Sequence, residues 1–88
     1  GTSQHKVLPT YIMQGKSTLL LPATVSTVET VKVDLYPHNM PVIISDEPIH
    51  STRLIAGFHR LDLIFGHHFI SITYALASIR FELSGNSE

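Results

Sequence analysis

Histidine is the residue type with the clearest chemical potential in this chain, which has six histidines among 88 residues and no cysteine. Neutral imidazoles bind zinc, nickel and copper, and histidine changes its charge near neutral pH. The neighbours His67 and His68 would point to opposite faces of a strand, so they would not share a metal ion. A metal site therefore needs ligands from separate elements. The candidate ligands are His38, His50, His67 and Asp46.

The segment from Asp46 to His50 combines two carboxylates, a proline and an imidazole in a predicted loop. Loops often carry functional groups, and the paired carboxylates could bind a divalent cation or do acid-base work. The simpler interpretation is that Asp46 caps the start of a helix or forms a turn, without any chemistry. No motif for a catalytic reaction or for a cofactor accompanies this loop. We therefore expect no cofactor, and we regard a binding protein as the better prediction than an enzyme.

A second candidate pair is His59 and Asp62, which would lie one turn apart on a helix. In that geometry the carboxylate could orient the imidazole as a general base. The simpler interpretation is a solvated polar face opposite the apolar residues Leu54 and Phe58.

Charge and hydropathy exclude several kinds of partner. Only 15% of the residues are charged, against roughly 25% in an ordinary soluble domain, and the formal net charge is −1. The lysines and arginines are scattered, whereas nucleic-acid binding depends on clustered basic residues, so we expect no nucleic-acid partner. Residues 63–79 lack charges, but Gly66 and several polar residues interrupt them, so we expect no membrane span there. The composition leaves the cellular compartment open.

Most of the chain shows patterns typical of strands. Residues 6–14 alternate, with Pro9 indicating an edge position or a bulge, and residues 17–21 and 40–45 form shorter apolar runs. The clearest alternation runs from Thr30 to Tyr36, and we expect that strand to begin near Thr27 with an irregularity at Glu29. Residues 70–83 alternate with a phase shift, which predicts a hairpin or a bulge near Ala77.

One segment has the spacing of a helix. Apolar residues recur at i, i+4, i+7 and i+11 in Leu54, Phe58, Leu61 and Phe65, and a glycine follows where a C-terminal cap would lie. We therefore predict a helix from Ser51 to Phe65 and an α+β fold, with a small, mainly antiparallel sheet of five or six strands. In the alternative, residues 53–65 form a pair of strands, and the fold is an all-β sandwich or barrel. The globular domain is predicted at residues 6–84, with residues 1–5 a disordered or artificially added tail and 85–88 a second disordered tail.

The order of three segments resembles that of ubiquitin-like β-grasp domains. Residues 15–19 (GKSTL) read as a hairpin, residues 27–32 (TVETVK) as a helix and residues 53–57 (RLIAG) as a strand. The resemblance implies a protein-binding adaptor module and requires residues 27–35 to be helical.

The apolar run at residues 69–83 decides the functional prediction. A long strand with few charges to protect its edges invites pairing with another chain. We therefore expect a non-catalytic interaction or assembly domain that acts through protein contacts and forms a homo-oligomer. The alternative is a small-ligand or divalent-metal binding protein, or an enzyme, that uses the histidines and the loop described above. The predicted interface residues are Phe69, Ile70, Ile72, Tyr74 and Leu76.

Overall fold

The computed structural model describes residues 2–22, 24–50 and 53–87. Over these residues the chain forms seven strands in two antiparallel sheets and no helix. The strands are β1 (Thr2–Val7), β2 (Tyr11–Gln14), β3 (Thr27–Tyr36), β4 (Val42–Ser45), β5 (His59–Phe65), β6 (His68–Tyr74) and β7 (Leu76–Ser87). The predicted α+β class is therefore wrong, and the all-β alternative fits the structure.

The predicted helix from Ser51 to Phe65 fails because its apolar spacing also suits a strand. Leu61 and Phe65 are four residues apart, and an even separation places both on one face of β5, just as i and i+4 share a face of a helix. This face lies in the core, where the ring of Phe65 packs against that of Phe81 in β7. Residues 53–58 precede β5 as a loop, while Ser51 and Thr52 lie outside the described residues. Gly66, predicted as a helix cap, instead begins the two-residue turn that joins β5 to β6.

The first sheet, which we call sheet A, is built around β7. β1 and β2 pair one after the other with one side of β7, and β3 pairs along its other side. Between β1 and β2, residues 8–10 lie opposite residues 80–81, and the amide of Leu8 donates a hydrogen bond to the carbonyl of Phe81 at 2.9 Å. This extra residue makes a bulge, as predicted at Pro9. Residues 2–4 and residues 85–87, which belong to the two predicted tails, pair with each other in β1 and β7.

β3 confirms the alternating pattern that the sequence predicts for it. It starts at Thr27, and its register against β7 shifts between Val28 and Thr30, around Glu29. The helix that the ubiquitin-like resemblance requires at residues 27–35 is therefore wrong, since these residues are a strand. Alternating valines and threonines suit a half-buried pleated surface better than a helix.

The second sheet, sheet B, has the order β4-β6-β5. Both outer strands run antiparallel to β6 and hence parallel to each other, so the connection at residues 46–58 must return the chain across a face of the sheet. Leu54 and Phe58 line a groove with Ile43 and Thr73, which places residues 53–58 of this connection on the outer face. The connection covers part of this face. In agreement, Ser71 of β6 is buried although its side chain points away from the core.

The chain passes from sheet B into sheet A at Ala75. Ile72 and Tyr74 of β6 point into the core, and so do Ala77 and Ile79 of β7, which shifts the alternation by one residue. The predicted phase shift near Ala77 is therefore a bend at which the strand changes sheets, rather than a hairpin or a bulge. The predicted strand at residues 17–21 is not formed. Its residues belong to the β2–β3 connection, from which Leu19 and Leu21 pack against the core.

Both sheets contribute to one core. The rings of Phe65 in sheet B and Phe81 in sheet A lie 5.3 Å apart in a tilted arrangement, the geometry that aromatic pairs prefer. The buried apolar residues are Leu8, Met13, Val25, Val28, Leu35, Leu61, Phe65, Ile70, Ile72, Tyr74, Ala77, Ile79, Phe81 and Leu83.

Two glycines permit close approaches near the start of β3. A Cβ atom at Gly66 would lie 2.8 Å from the carbonyl oxygen of Val28, and this residue also has a positive φ of 60°. At Gly85 of β7, a Cβ atom would collide with the carbonyl oxygen of Thr27. The bulged end of β3 can therefore lie against β7 and the β5–β6 turn only because these positions lack side chains.

We expect Gly85→Ala to lower the free energy of unfolding by more than about 2 kcal/mol, because backbone atoms of both strands must move apart. Urea denaturation measures this change. Ser84→Ala, one residue away on the solvent face of the same strand, is the control and should change stability by less than about 0.5 kcal/mol. Equal stabilities of the two variants would contradict the close packing at Gly85.

The two core-facing tyrosines should respond differently to loss of their hydroxyl groups. Tyr74 donates a 2.7 Å hydrogen bond to the carbonyl of Gly15, so Tyr74→Phe should cost about 0.5–1.5 kcal/mol. The hydroxyl of Tyr11 is buried without a partner among the described residues, so Tyr11→Phe should leave stability unchanged or raise it by up to about 1 kcal/mol. Thermal or urea unfolding of the pair provides the test, and a Tyr11→Phe variant less stable than Tyr74→Phe would refute it.

Candidate functional site

The four predicted metal ligands are divided between the ends of the molecule. His38 lies two residues after the end of β3, whereas His67 lies in the β5–β6 turn, next to His68. The Nε2 atom of His68 lies 2.9 Å from the carbonyl oxygen of Glu29, near the first residue of β3. Since a strand rises about 3.3 Å per residue, the length of β3 separates His38 from His67 by roughly 20 Å.

Asp46 and His50 lie nearer to His67 than to His38. Asp46 directly follows Ser45, the last residue of β4. Ser45 pairs with Phe69, which lies at the same end of sheet B as His67. His50 follows Ile49, which lines a small groove together with Phe69. Even so, no three histidine, aspartate or glutamate side chains among the described residues are grouped so that they could hold a metal ion. The four ligands therefore stay a prediction from the sequence.

His59 and Asp62 point to opposite faces of β5, so the arrangement expected from a helix is not formed. Asp62 instead pairs with Arg60 on its own face, with 3.2 Å between Nε and Oδ2. The ring of His59 lies 5.6 Å from that of Tyr74. These side chains line an open groove of about 560 Å³ together with Lys16, Ser17, Leu54 and Phe58. A strand therefore places the imidazole against an aromatic ring, where a helix would have placed it against a carboxylate.

The predicted interface residues have different environments. Ile70, Ile72 and Tyr74 are at most 1% exposed, and β6 is paired on both sides, so these three residues form core and have no surface to offer a partner. Phe69 points outward and is half-buried beneath the β4–β5 connection. Leu76, at the start of β7, is 56% exposed. The apolar run thus serves mainly to build the core.

β3 is a free edge of sheet A, which sequence reasoning did not find. Among the described residues it pairs with β7 alone. It has ten residues and no proline, its valines Val31 and Val33 are half-buried, and its solvent face carries Lys32 and Asp34. Long alternating strands without proline are candidates for such edges, but alternation does not distinguish an edge strand from a central one.

The other strand edges are better protected. The β1 and β2 edge of sheet A is interrupted by the bulge at Pro9, and β4 has only four residues. Beside β5, Lys16 and Ser17 of the β2–β3 connection share a groove with His59 and Arg60. Short strands, bulges and covering loops are the usual means by which proteins prevent edge pairing. β3 also has a bulge, at Glu29, but beyond it residues 30–36 form the longest regular edge without a proline or a covering loop among the described strands.

Charge on the solvent face of sheet A is organised in pairs between β3 and β7. Asp34 lies opposite Arg80, with 3.5 Å between Oδ2 and a guanidinium nitrogen, and Lys32 lies opposite Glu82. Exposed pairs of this kind contribute little to stability, about 0–1 kcal/mol each. Their order along the strand nevertheless gives the edge a defined pattern of charge.

An apolar groove of about 400 Å³ lies on the outer face of sheet B, between the sheet and the β4–β5 connection. Ile43 from the sheet and Ile55 from the connection are 45% and 74% exposed. The groove is lined by Asn39, Met40, Pro41, Ile43, Arg53, Leu54, Ile55, Phe58 and Thr73.

No protein-family model matches this chain, and comparisons with curated proteins and with solved structures give no significant match. The described residues contain no helix of the length and hydropathy needed to cross a membrane. A function must therefore be inferred from the surfaces themselves.

Metal titration tests the predicted ligands directly. Because the turns that carry His38 and His67 are far apart, we expect zinc, nickel or copper to leave the melting temperature unchanged. Addition of a metal that binds the native state would raise it. The variant His50→Ala, His67→Ala is the control and should behave like the unaltered protein. Stabilisation by one metal that this variant abolishes would establish a site that the described geometry does not reveal.

Proposed function

We propose that this chain is a non-catalytic protein-interaction domain that self-associates. The observation that carries the proposal is the free edge of β3. An edge strand presents unpaired amide and carbonyl groups, which pair readily with another strand. The ten residues of β3 make this edge longer than that of β4, and they lack the proline that interrupts the opposite edge of sheet A.

The side chains of β3 and the small size of the chain also support self-association. One way in which native monomers prevent pairing at an exposed edge is to place a charge at an inward position. The inward positions of β3 carry Val31, Val33 and Leu35 instead, so a partner strand would extend the apolar layer without burying a charge. The small size of the chain points in the same direction, since small domains without disulfides often gain stability by oligomerisation.

The observed separation of His59 from Asp62 removes the best general-base pair that the sequence offered. No feature of the described residues favours the metal-binding alternative, which the titration above tests. Protein contact is therefore the function that the surface supports best.

Light scattering over a concentration series tests self-association. We expect the mass-average molar mass to rise from the monomer value of 9.8 kDa towards roughly twice that value as the concentration approaches the millimolar range. A strictly monomeric protein of similar size provides the control for non-ideal scattering. A molar mass that stays at the monomer value throughout would refute self-association.

A further inference from the structure

The part of β3 that can receive a partner strand has defined ends. On one side the register shift between Val28 and Thr30 bends the strand. On the other side Pro37 follows the last strand residue and has no amide hydrogen to donate. The regular segment therefore runs from Thr30 to Tyr36, and Val33 is its midpoint.

Symmetry restricts how two copies could pair through this segment. Two identical strands that pair antiparallel are related by a two-fold axis perpendicular to the sheet, so residues opposite each other must point to the same face. Val33 faces the core, whereas Lys32 and Asp34 face solvent. A register centred between two residues would place core-facing residues opposite solvent-facing ones. The axis must therefore pass beside a single residue.

Charge selects one of the remaining registers. An axis beside Lys32 places this lysine opposite itself, and an axis beside Asp34 does the same for the aspartate, which is unfavourable. An axis beside Val31 or Leu35 shortens the overlap and gives neither charge an opposite charge. With the axis beside Val33, Lys32 of each copy lies opposite Asp34 of the other, and the whole regular segment is paired.

The same register continues the charge pattern of sheet A. Within one copy, Glu82 lies opposite Lys32, and Asp34 lies opposite Arg80. In the dimer, a row of four side chains would cross the joined sheet from one copy to the other. Its order would be Glu82 and Lys32 of one copy, then Asp34 and Arg80 of the second copy, so that negative and positive charges alternate. The two-fold axis generates this row twice. On the core face, Val31 would lie opposite Leu35, so apolar side chains meet there as well.

We infer that a second copy of this chain pairs antiparallel with β3, with the two-fold axis beside Val33, and joins the two copies of sheet A into one continuous sheet. This inference rests on the self-association proposed above and assigns its surface and register. The occupant is a second copy because the strand's own sequence, met in reverse, supplies an opposite charge for both Lys32 and Asp34.

Charge-reversal variants test the register by complementation. Alone, Lys32→Glu places a carboxylate opposite the carboxylate of Asp34 in the other copy, and Asp34→Lys places an ammonium group opposite that of Lys32. We expect each to weaken dimerisation at least about fivefold at low ionic strength. In an equimolar mixture, every charged pair across the edge of a mixed dimer is again of opposite sign, so mixed dimers should form at close to the original affinity. Sedimentation velocity measures the dimer fraction in each sample.

Lys16→Glu is the matched control, since it reverses an exposed lysine away from β3 and should leave dimerisation unchanged. The mixture also controls for misfolding. Each variant carries the same substitution in the mixture as it does alone, so a variant that failed to fold would not recover dimerisation there. At about 1 M salt the differences between variants should shrink, as expected for exposed charges.

The possible results of this experiment distinguish a wrong pairing surface from a failure of self-association itself. Weakened single variants and a restored mixture support the register. Dimers that neither variant weakens would refute pairing through β3 while leaving self-association intact, and weakened variants that do not recover in the mixture would refute the register. A monomer at every concentration would overturn both proposals.

Amide hydrogen exchange of the unaltered protein gives a second measurement that needs no variant. Pairing protects those amides of residues 30–36 that point away from β7, so their exchange should slow as protein concentration rises. The amides of residues 2–7, on the opposite edge, should exchange at the same rate at all concentrations. Exchange in β3 that does not depend on concentration, in a sample that contains dimers, would contradict the assignment.

Discussion

The pairing of β7 with three other strands is the constraint on which this structure depends. β7 receives β1 and β2 on one side and β3 on the other, and through Ala75 it continues from β6, the central strand of sheet B. One stretch of chain thereby supplies the middle of both sheets. Its inward side chains from Ile70 to Leu83 are almost completely buried, so a change of register in either sheet would expose the core.

This central position of β6 and β7 determines which surfaces remain for contacts. Every other strand becomes an edge, and two long connections must cross the molecule, because β2 and β3, like β4 and β5, are parallel neighbours of a central strand. Those connections help to cover the core and lie beside β5. β3 has no such cover among the described residues, and the proposed interaction surface follows from that difference.

The solvent-facing polar groups are arranged by strand pairing rather than by a buried site. Asp34 pairs with Arg80, Lys32 lies opposite Glu82, and Arg60 pairs with Asp62 on β5. The histidines lie mostly in turns and on strand faces, which separates them. Such an arrangement is compatible with the protein contact proposed above.

The sequence by itself determined the local features: the alternation of β3 with its irregularity at Glu29, the bulge at Pro9 and the change of phase after Tyr74 all follow from side-chain period and from the missing proline amide. Tertiary structure alone decided the rest. Leu61 and Phe65 have a spacing that suits both a helix and a strand, and pairing with β6 selected the strand. Which strands are central and which are edges, and whether His38 meets His67, depend on contacts between residues far apart in the chain, which local periodicity does not encode.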